Sequence, residues 1–182
     1  LENVRNFKNH DNGRTFSTVK KILEEECGYS VYWDVFNTVN FGLPQDRRRV
    51  YILGLKTKPS INFEFTEKIV AETLDEHIKN TGLNKYKDTR SILSKNVNEK
   101  YYLSNKIKKT ILSSGTGGFH AKPEINKPKA RTLTATMVKM HRAGQDNYYS
   151  DEFTKLTKAE SKKYEDFIVP KSKYNSYNIR KL

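Results

Sequence analysis

Three consecutive arginines, residues 47–49, lie directly before an apolar Val-Tyr-Ile-Leu segment at residues 50–53. This apolar run predicts a strand that is buried on both faces, and charged side chains that enter such a strand must be paired. Because alternate strand residues point to one side, we expect Arg47 and Arg49 on a common face. Two guanidinium groups there suit a phosphate, a base edge or a carboxylate. The alternative interpretation is an ordinary salt bridge at the strand end.

The chain is strongly basic. Its 182 residues carry a net charge of +13, and its aromatic residues are 11 Tyr, 9 Phe and one Trp. A balance this positive favours a polyanionic partner, either nucleic acid or an acidic membrane surface, over a merely soluble lysine-rich surface. The aromatic content argues against a wholly disordered chain. The length suits one domain, or part of one domain with a small second one.

Composition excludes several classes of protein. Cys27 is the single cysteine, so neither a disulfide framework nor a cysteine-based zinc site is possible within the chain, and a reducing compartment fits. No apolar run approaches the roughly 20 residues needed to cross a bilayer, and no signal peptide is visible. We therefore expect no membrane partner. The chain begins without Met, which suggests a fragment.

The first 56 residues indicate alternating α and β structure. A helix is predicted from an N-cap at Thr15 to Gly28. Its apolar positions at helical spacing are Phe16, Val19, Leu23 and Cys27. Cys27 is therefore expected to be a buried packing residue. Residues 30–36 are rich in β-branched and aromatic side chains and predict a strand. With the second strand at 50–53, this pattern predicts an α/β fold, the end of a doubly wound sheet.

Beyond residue 57 the sequence is polar and lysine-rich, and only short elements are expected. They are a helix around Ile69, Leu74 and Ile78, a helix capped by Ser104 with Ile107 and Ile111 inward, a flexible glycine loop at 115–118, a strand at 131–136, and a loosely packed insertion at 154–177. The glycine loop lacks the Gly-Lys-Ser/Thr ending of a phosphate-binding loop, so nucleotide binding there is rejected.

A cluster of polar side chains follows the predicted strand at 131–136. It consists of Lys139, His141, Arg142, Gln145 and Asn147. These donors and acceptors suit base edges and phosphates in a DNA groove. His141 has no second ligand at a useful spacing, so no metal site is expected.

The order and spacing of several motifs resemble those of bacterial cytosine-5 DNA methyltransferases. Glu2-Asn3-Val4 resembles the sixth motif of that family, and Gln-Asp-Arg-Arg-Arg at 45–49 resembles its eighth, Gln-x-Arg-x-Arg. The resemblance is close over residues 1–55 and thins over 57–125. It returns at Ala-Arg-Thr-Leu-Thr, residues 130–134, which resembles the Thr-Leu element of the target-recognition region. Residues 178–182 resemble the opening of the ninth motif.

This resemblance implies a domain organisation. Residues 1–56 would be the C-terminal part of a doubly wound, Rossmann-like methyltransferase sheet. Residues 57–177 would form a smaller, mostly irregular and β target-recognition domain that faces DNA. Residues 178–182 would return to the catalytic domain, where the chain stops.

The resemblance also implies roles for individual residues. The family flips its target cytosine out of the duplex, and Glu2 would contact N3 and the N4 amino group of that base in a closed pocket. Arg49 would hold the cytosine O2 and orient Glu2, while Arg47 would contact the DNA backbone or brace the site. Asn3 and Gln45 would support them. Thr132 would touch a phosphate beside Leu133. The following loop, which contains the polar cluster from Lys139 to Asn147, would read the bases.

The Pro-Cys motif that supplies the nucleophile and the glycine-rich motif for S-adenosylmethionine do not occur in these 182 residues. S-adenosylmethionine would thus be the cofactor of a complete enzyme, and this chain alone is expected to be inactive. The expected partners are double-stranded DNA and, in a split enzyme, the N-terminal catalytic part as a separate chain. The expected setting is restriction-modification in the bacterial cytoplasm, at the nucleoid.

Two alternatives remain open at this stage: a non-catalytic subunit of a split methyltransferase, and a stand-alone nucleic-acid-binding module. The DNA sequence that the loop would read cannot be inferred from one sequence.

Overall fold

The strand that begins within the arginine run is the central strand of a three-stranded antiparallel sheet. The first four strands are β1 (Glu2–Val4), β2 (Ser30–Asn37), β3 (Gln45–Asp46) and β4 (Arg48–Leu55). β1 and β2 pair with the two edges of β4, and both pairings are antiparallel. The strand predicted at residues 30–36 is therefore confirmed, and it supplies one of the two neighbours of β4.

This computed structural model describes residues 1–86, 88–113, 115–116, 119–120, 124–156 and 171–182. The chain forms two compact units, Leu1–Lys85 and Tyr86–Leu182. These units differ from the domains predicted from sequence. Residues 57–85 belong to the first unit and residues 178–182 to the second.

The segment between β1 and β2 is helical but irregular. It consists of a 3₁₀ segment (Arg5–Gly13), helix α1 (Arg14–Lys21) and one π turn (Ile22–Glu26). The predicted N-cap at Thr15 is wrong, because Gly13 occupies the cap with a φ of 85°. The Thr15 hydroxyl instead lies 2.7 Å from Nδ1 of His10. Gly28, with a φ of 70°, follows the helical segment as expected.

The core of the first unit lies on one face of the sheet. Phe16 of α1 packs with Val50 and Ile52 of β4, and its ring centroid is 4.8 Å from that of Trp33. Tyr51, between the two buried β4 residues, is 37 % exposed. The prediction that residues 50–53 are buried on both faces is therefore wrong, since an antiparallel strand needs only one fully covered face.

Helix α2 (Glu67–Thr81) confirms the helix predicted around residues 69–78. Its N-cap Thr66 accepts a hydrogen bond from the Ile69 amide, and it ends at Gly82. The first residue of the helix joins it to β2, because the Glu67 amide donates to Oδ2 of Asp34 at 2.8 Å. These contacts explain why residues 57–85 lie in the first unit.

The second unit is built from short elements, as the polar sequence predicts. They are α3 (Asn105–Leu112), β5 (Gly115–Thr116), β6 (Phe119–His120), β7 (Ala130–Arg131), β8 (Tyr148–Ser150), α4 (Asp151–Lys155) and β9 (Ile179–Lys181). β5 pairs antiparallel with β6, and β8 pairs antiparallel with β9. The pairing with β8 accounts for the place of residues 178–182 in this unit, whereas the sequence predicts that they return to the catalytic domain.

A single apolar cluster forms the core of the second unit. Its buried members are Leu103, Ile111, Leu112, Ile125, Tyr148 and Ile179. The predicted cap at Ser104 is confirmed, because its hydroxyl accepts from the Ile107 amide. This cap starts α3 so that Ile111 faces the cluster. Tyr174 and Tyr177 pack against the same cluster, and the Tyr174 hydroxyl donates to the Leu112 carbonyl at 2.7 Å.

Residues 171–177 therefore are not the loose insertion predicted for 154–177; residues 157–170 of that range lie outside the described residues. Gly117 and Gly118 of the predicted glycine loop also lie outside them. The strand predicted at 131–136 is largely wrong, because it ends after Arg131 and a 3₁₀ turn forms at Ala135–Val138. No helix within the described ranges is long and apolar enough to span a membrane.

Candidate active site and nucleic-acid interface

The first candidate site lies on one face of the sheet in the first unit. The β1–β4 register places Glu2 opposite Tyr51 and Val4 opposite Arg49. Residues directly opposite each other share a face, and side chains alternate along a strand. Glu2 and Arg49 are therefore diagonal neighbours on the same face. Val50 points to the other face, toward the core beneath α1.

The Glu2 carboxylate contacts both predicted arginines. Its Oε1 lies 3.0 Å from Nε of Arg49 and 3.6 Å from Nη2 of Arg47. The expected convergence of Arg47 and Arg49 is thus present, and a carboxylate of the same chain lies between them. Two positive charges face one negative charge, so the cluster retains an excess of positive charge for a further acceptor atom.

The exposed fractions of the three side chains indicate how much these ion pairs can contribute to the stability of the fold. The side chain of Glu2 is 41 % exposed, that of Arg47 35 % and that of Arg49 15 %. Pairs this open to water stabilise a fold by roughly 0–1 kcal/mol. The contacts therefore orient the carboxylate more than they stabilise the unit. Glu2 is not enclosed by the described residues, so the closed pocket implied by the resemblance is not formed by them.

Asn37, at the end of β2, organises the backbone around Arg47. Its side-chain oxygen accepts from the Arg47 amide at 3.2 Å and the Val39 amide at 3.4 Å. Its side-chain nitrogen donates to Oδ1 of Asp46 at 2.8 Å, and its own amide donates to Oε1 of Glu67. Sequence reasoning missed Asn37. The available signal was an asparagine between a strand and a glycine-containing turn, where such side chains often bond the backbone.

The two predicted supporting residues do not touch the carboxylate in the described contacts. Asn3 points to the opposite face from Glu2, and its side-chain oxygen accepts from the Val4 amide at 2.8 Å. Gln45 is in β3, and its carbonyl accepts from the Thr38 hydroxyl. Both contacts shape the local backbone, so any support they give to Glu2 is indirect.

Cys27 is exposed, so its predicted burial is wrong. The helical spacing placed it on the apolar side, but α1 gives way to a π turn at Ile22–Glu26, which shifts the following side chains around the axis. The Cys27 carbonyl accepts from Nζ of Lys56, just beyond the end of β4. Arg49 lies seven residues earlier along that strand, a span of about 23 Å. Cys27 is therefore remote from the Glu2 cluster.

The second candidate site is the loop between β7 and β8 in the second unit. Its described exposed residues include Leu133, Lys139, His141 and Gln145, while Thr132 and Arg142 are half-buried. These six side chains remain candidates for contact with a polyanion. The 3₁₀ turn and the positive φ of Gly144 (74°) fold the loop back on itself.

Asn147 differs from the other predicted DNA-binding residues. It is 2 % exposed. Its side-chain oxygen accepts from the Arg131 amide at 2.7 Å, and its side-chain nitrogen donates to the Arg131 carbonyl at 3.0 Å. The structure therefore places Asn147 inside the unit, where its side chain bonds the backbone of β7 and cannot reach a base edge. Its polarity in the sequence reflects this internal backbone contact.

Arg142 is also held from within. Its Nη2 lies 3.2 Å from Oδ1 of Asp146 and 3.2 Å from the Thr134 hydroxyl. Asp146 is fully buried and was missed by sequence reasoning, because nothing in its sequence neighbourhood distinguishes it from a solvated aspartate.

Among the residues that the structure describes, no group of three or more His, Cys, Asp or Glu side chains could hold a metal ion.

His141 lies near this buried carboxylate. Partial burial of the ring lowers the pKa of His141, the positive charge of Lys181 lowers it further, and Asp146 opposes both. The neutral form of the ring is therefore favoured, and that form can donate one hydrogen bond and accept another.

Comparison with known proteins gives a family match over the whole chain. The sequence profile described as C-5 cytosine-specific DNA methylase matches residues 1–182. The type II methyltransferase M.SsoII of Shigella sonnei is 32 % identical over 97 % of this chain and 46 % of its own length. M.HaeII of Haemophilus aegyptius is 39 % identical over 64 % of this chain and 32 % of its own length.

Two solved structures share the fold. A methyltransferase of Entamoeba histolytica, EhMeth, matches 98 % of this chain and 45 % of its own with a TM-score of 0.61, and the Dnmt2 methyltransferase of S. pombe matches 89 % and 46 % with 0.60. Both are 18 % identical to this chain, so they show the fold alone, and they confirm the α/β methyltransferase fold class. The chain spans less than half the length of each of these four proteins.

The pKa of His141 reports on the charges around the loop. Lys181→Met should raise it toward the ordinary value of about 6.5, because a nearby positive charge is removed. Asp146→Asn should lower it further, because the opposing negative charge is removed. An NMR pH titration of the ring protons measures both shifts, with the exposed Lys171→Met as control. Shifts of the same sign in the first two variants would contradict the arrangement.

Proposed function

Because the chain belongs to the C-5 cytosine-specific DNA methylase family, we propose that it is the C-terminal part of a DNA (cytosine-5) methyltransferase of a restriction-modification system. In this proposal it contributes the residues that grip the flipped cytosine and most of the surface that reads DNA. The observation that carries the proposal is the Glu2 carboxylate held between Arg49 and Arg47, in the motif order expected of that family.

The chemistry of this cluster matches the edge of a cytosine. The base presents an acceptor at O2, an acceptor at N3 and a donor at N4. A guanidinium donates to O2, while a carboxyl group accepts from N4 and shares a proton with N3. Glu2 and Arg49 are 3.0 Å apart, so both can meet one base at neighbouring positions. Withdrawal of electron density through N3 and O2 favours nucleophilic attack at C6.

Within the cluster the roles differ by position. Arg49 is the less exposed arginine, in the central strand, and it would hold O2 and fix the Glu2 carboxylate. Arg47 lies outside the strand, on backbone that Asn37 holds, and would reach the DNA backbone or brace Glu2. Asn3 and Gln45 would act through the local backbone.

S-adenosylmethionine is the methyl donor of this family and supplies the methyl group when bound. The described residues of this chain do not fit its site. Among them, the glycines with positive φ are Gly13, Gly28, Gly42, Gly82 and Gly144, each isolated at a helix end or turn. The glycine-rich cofactor motif of a doubly wound fold instead groups its glycines in the turn between a strand and a helix. We propose that this site and the nucleophilic cysteine lie outside these 182 residues.

The loop between β7 and β8 would read the bases. Exposed Lys139, Gln145 and His141 supply donors and acceptors for base edges, and Thr132 would contact a phosphate beside Leu133. The excess of Lys and Arg behind the net charge of +13 would add affinity that does not depend on sequence. The assignment of residues 57–177 to target recognition rests on this reasoning and on the family, as does a cytoplasmic, nucleoid-associated location.

A split enzyme is the second candidate. The extent of the match, 45–46 % of the long relatives, is equally compatible with a subunit that needs a partner chain. A stand-alone DNA-binding module is the third. Co-expression with the coding sequence upstream of Leu1 separates the three cases. Methylation by one continuous polypeptide indicates a single-chain enzyme, and methylation that needs two chains indicates a split enzyme. Absence of methylation in both formats indicates a stand-alone DNA-binding module.

The isolated chain should transfer no methyl group to DNA, since it lacks a nucleophile near Glu2. Tritiated-methyl transfer from S-adenosylmethionine onto mixed unmethylated duplexes measures this, with the complete enzyme as positive control. Cys27→Ser should leave the complete enzyme as active as the wild type. Turnover by the isolated chain that disappears in Cys27→Ser would overturn the assignment of that cysteine.

In the complete enzyme, Glu2→Gln should slow the chemical step by roughly 10²-fold or more, the usual scale for a positioned acid–base group. Duplex binding should change little. Arg49→Ala should weaken both, because Arg49 would hold the base and Glu2. Single-turnover rates and filter binding measure the two effects, and Glu72→Gln, an exposed acid on α2, is the matched control. Equal losses of rate and binding in Glu2→Gln would make Glu2 a structural residue.

Alanine at a base-reading residue of the loop should cost roughly 1–3 kcal/mol on the cognate site and less on scrambled DNA. Alanine at a phosphate-binding lysine should weaken all sequences alike and flatten the salt dependence. Lys139→Ala, Gln145→Ala, His141→Ala and Arg142→Ala are the variants, titrated on both duplexes at several salt concentrations. If none changes the cognate-to-scrambled ratio, the readers lie in residues 57–125 instead.

A further inference from the structure

The side chain of Asp146 is a carboxylate completely removed from water, with a relative exposure of 0 %. A charge in this position is costly unless paired and hydrogen-bonded, and Asp146 satisfies that requirement from several sides. Its Oδ2 lies 2.7 Å from Nζ of Lys181, and its Oδ1 lies 3.2 Å from Nη2 of Arg142. Oδ2 also accepts from the Arg142 amide at 3.1 Å. The carboxylate therefore has a defined orientation.

Lys181 connects this carboxylate to the loop backbone. The side chain is 13 % exposed, and its ammonium group donates to the carbonyls of Met137 and Met140. An ammonium group has three donors, and Asp146 with these two carbonyls provides three acceptors. Lys181 thereby holds the end of the 3₁₀ turn and the residue that precedes His141.

Tyr148 and Arg142 complete the contacts on the other side. The Tyr148 hydroxyl donates to Oδ2 of Asp146 at 3.3 Å and accepts from the Arg142 amide at 3.1 Å. Burial and the adjacent Asp146 charge raise the pKa of Tyr148 far above its usual range, so the hydroxyl keeps its proton. Arg142 reaches on to the Thr134 hydroxyl at 3.2 Å. The loop is consequently held near its start at Thr134, in its middle at Met137 and Met140, and near its end at Arg142 and Asp146.

We propose that Asp146 is a positioning residue for DNA recognition: it touches no base, but it fixes the loop that presents Lys139, His141 and Gln145, and so determines how well the protein discriminates between DNA sequences. This inference rests on the proposed function and extends it, because it assigns specificity to a buried ion-pair network behind the reading surface. Arg142 belongs to that network, and its role is to hold the loop.

Loss of the network should affect discrimination more than affinity. Base-edge hydrogen bonds require a defined distance and direction, which a mobile loop cannot maintain. Phosphate contacts by lysine are long-range and tolerate movement. In Asp146→Asn, Lys181 and Arg142 would also be left as two like charges that face each other, and their repulsion would displace the loop. Sequence discrimination should therefore fall while general DNA binding persists.

The test uses the complete enzyme. Sequencing of methylated sites in genomic DNA first identifies the wild-type target, and single-turnover rates are then measured on that target and on duplexes with one base pair changed. Asp146→Asn and Lys181→Met should each reduce the target-to-variant rate ratio about 10-fold, equivalent to the loss of about one base contact. Binding to a scrambled duplex should stay within about 2-fold across a salt series. Glu152→Gln, at an exposed acid on α4, makes the same charge change as Asp146→Asn and should alter neither the rate ratio nor the binding.

A structural readout accompanies the kinetics. Amide hydrogen exchange over residues 135–145 should accelerate in Asp146→Asn, while exchange in α3 stays as in the wild type. Faster exchange throughout the second unit would indicate loss of the fold. Thr134→Val then replaces Asp146→Asn as the test variant. It removes only exposed contacts, those of the Thr134 hydroxyl with Arg142 and with the Thr136 hydroxyl, and it should reduce the rate ratio about 2- to 3-fold.

The outcomes separate the two proposals. If the wild-type enzyme methylates no DNA, the proposed function fails, and the DNA role of Asp146 fails with it. If the wild type is active and the rate ratio is unchanged in Asp146→Asn and Lys181→Met despite a loosened loop, the inference alone is overturned.

Discussion

The antiparallel register between β1 and β4 is the constraint on which the candidate active site depends. It sets Glu2 two residues away from the position opposite Arg49, close enough for a 3.0 Å ion pair. Neither side chain alone has a distinctive environment. Together they form a donor–acceptor pair of fixed orientation on a rigid sheet, and the core beneath α1 keeps that sheet in place.

The second unit also contains a carboxylate held by two cationic side chains, but there the carboxylate is buried. The side chains of Glu2 and Arg47 are 41 % and 35 % exposed, so this ion-pair cluster orients groups that remain available to a ligand. Asp146 is buried with Lys181, so its ion pair is committed to the fold and acts on a ligand only through the loop. The degree of burial thus separates a group that can meet DNA from one that can only position others. The same criterion places Asn147 in the interior and leaves Gln145 at the surface.

Local sequence patterns predicted the parts of the structure that depend on local physics. The strand at 30–36, the Ser104 cap and the convergence of Arg47 with Arg49 follow from propensity, capping chemistry and strand periodicity. The burial of Cys27 and the strand at 131–136 were wrong, because a π turn at Ile22–Glu26 and a 3₁₀ turn at Ala135–Val138 override local preference. The full sets of contacts made by Asn37 and Asp146 could not be predicted from sequence. Their partners include Glu67 and Lys181, which lie far along the chain and cannot be identified without the fold.

The two ends of the connection from β2 to β4 are hydrogen-bonded to each other, and these bonds limit how the length of the connection can change. Thr38 donates its amide to the Arg47 carbonyl, while Asn37 accepts from the Arg47 amide. Inserting or deleting one residue would either break these bonds or shift β4 by one place, and a shift of one place exchanges the two faces of a strand. Arg49 would then point into the core and Val50 toward water. Diversification of this connection should consequently proceed by replacement of side chains and spare its length.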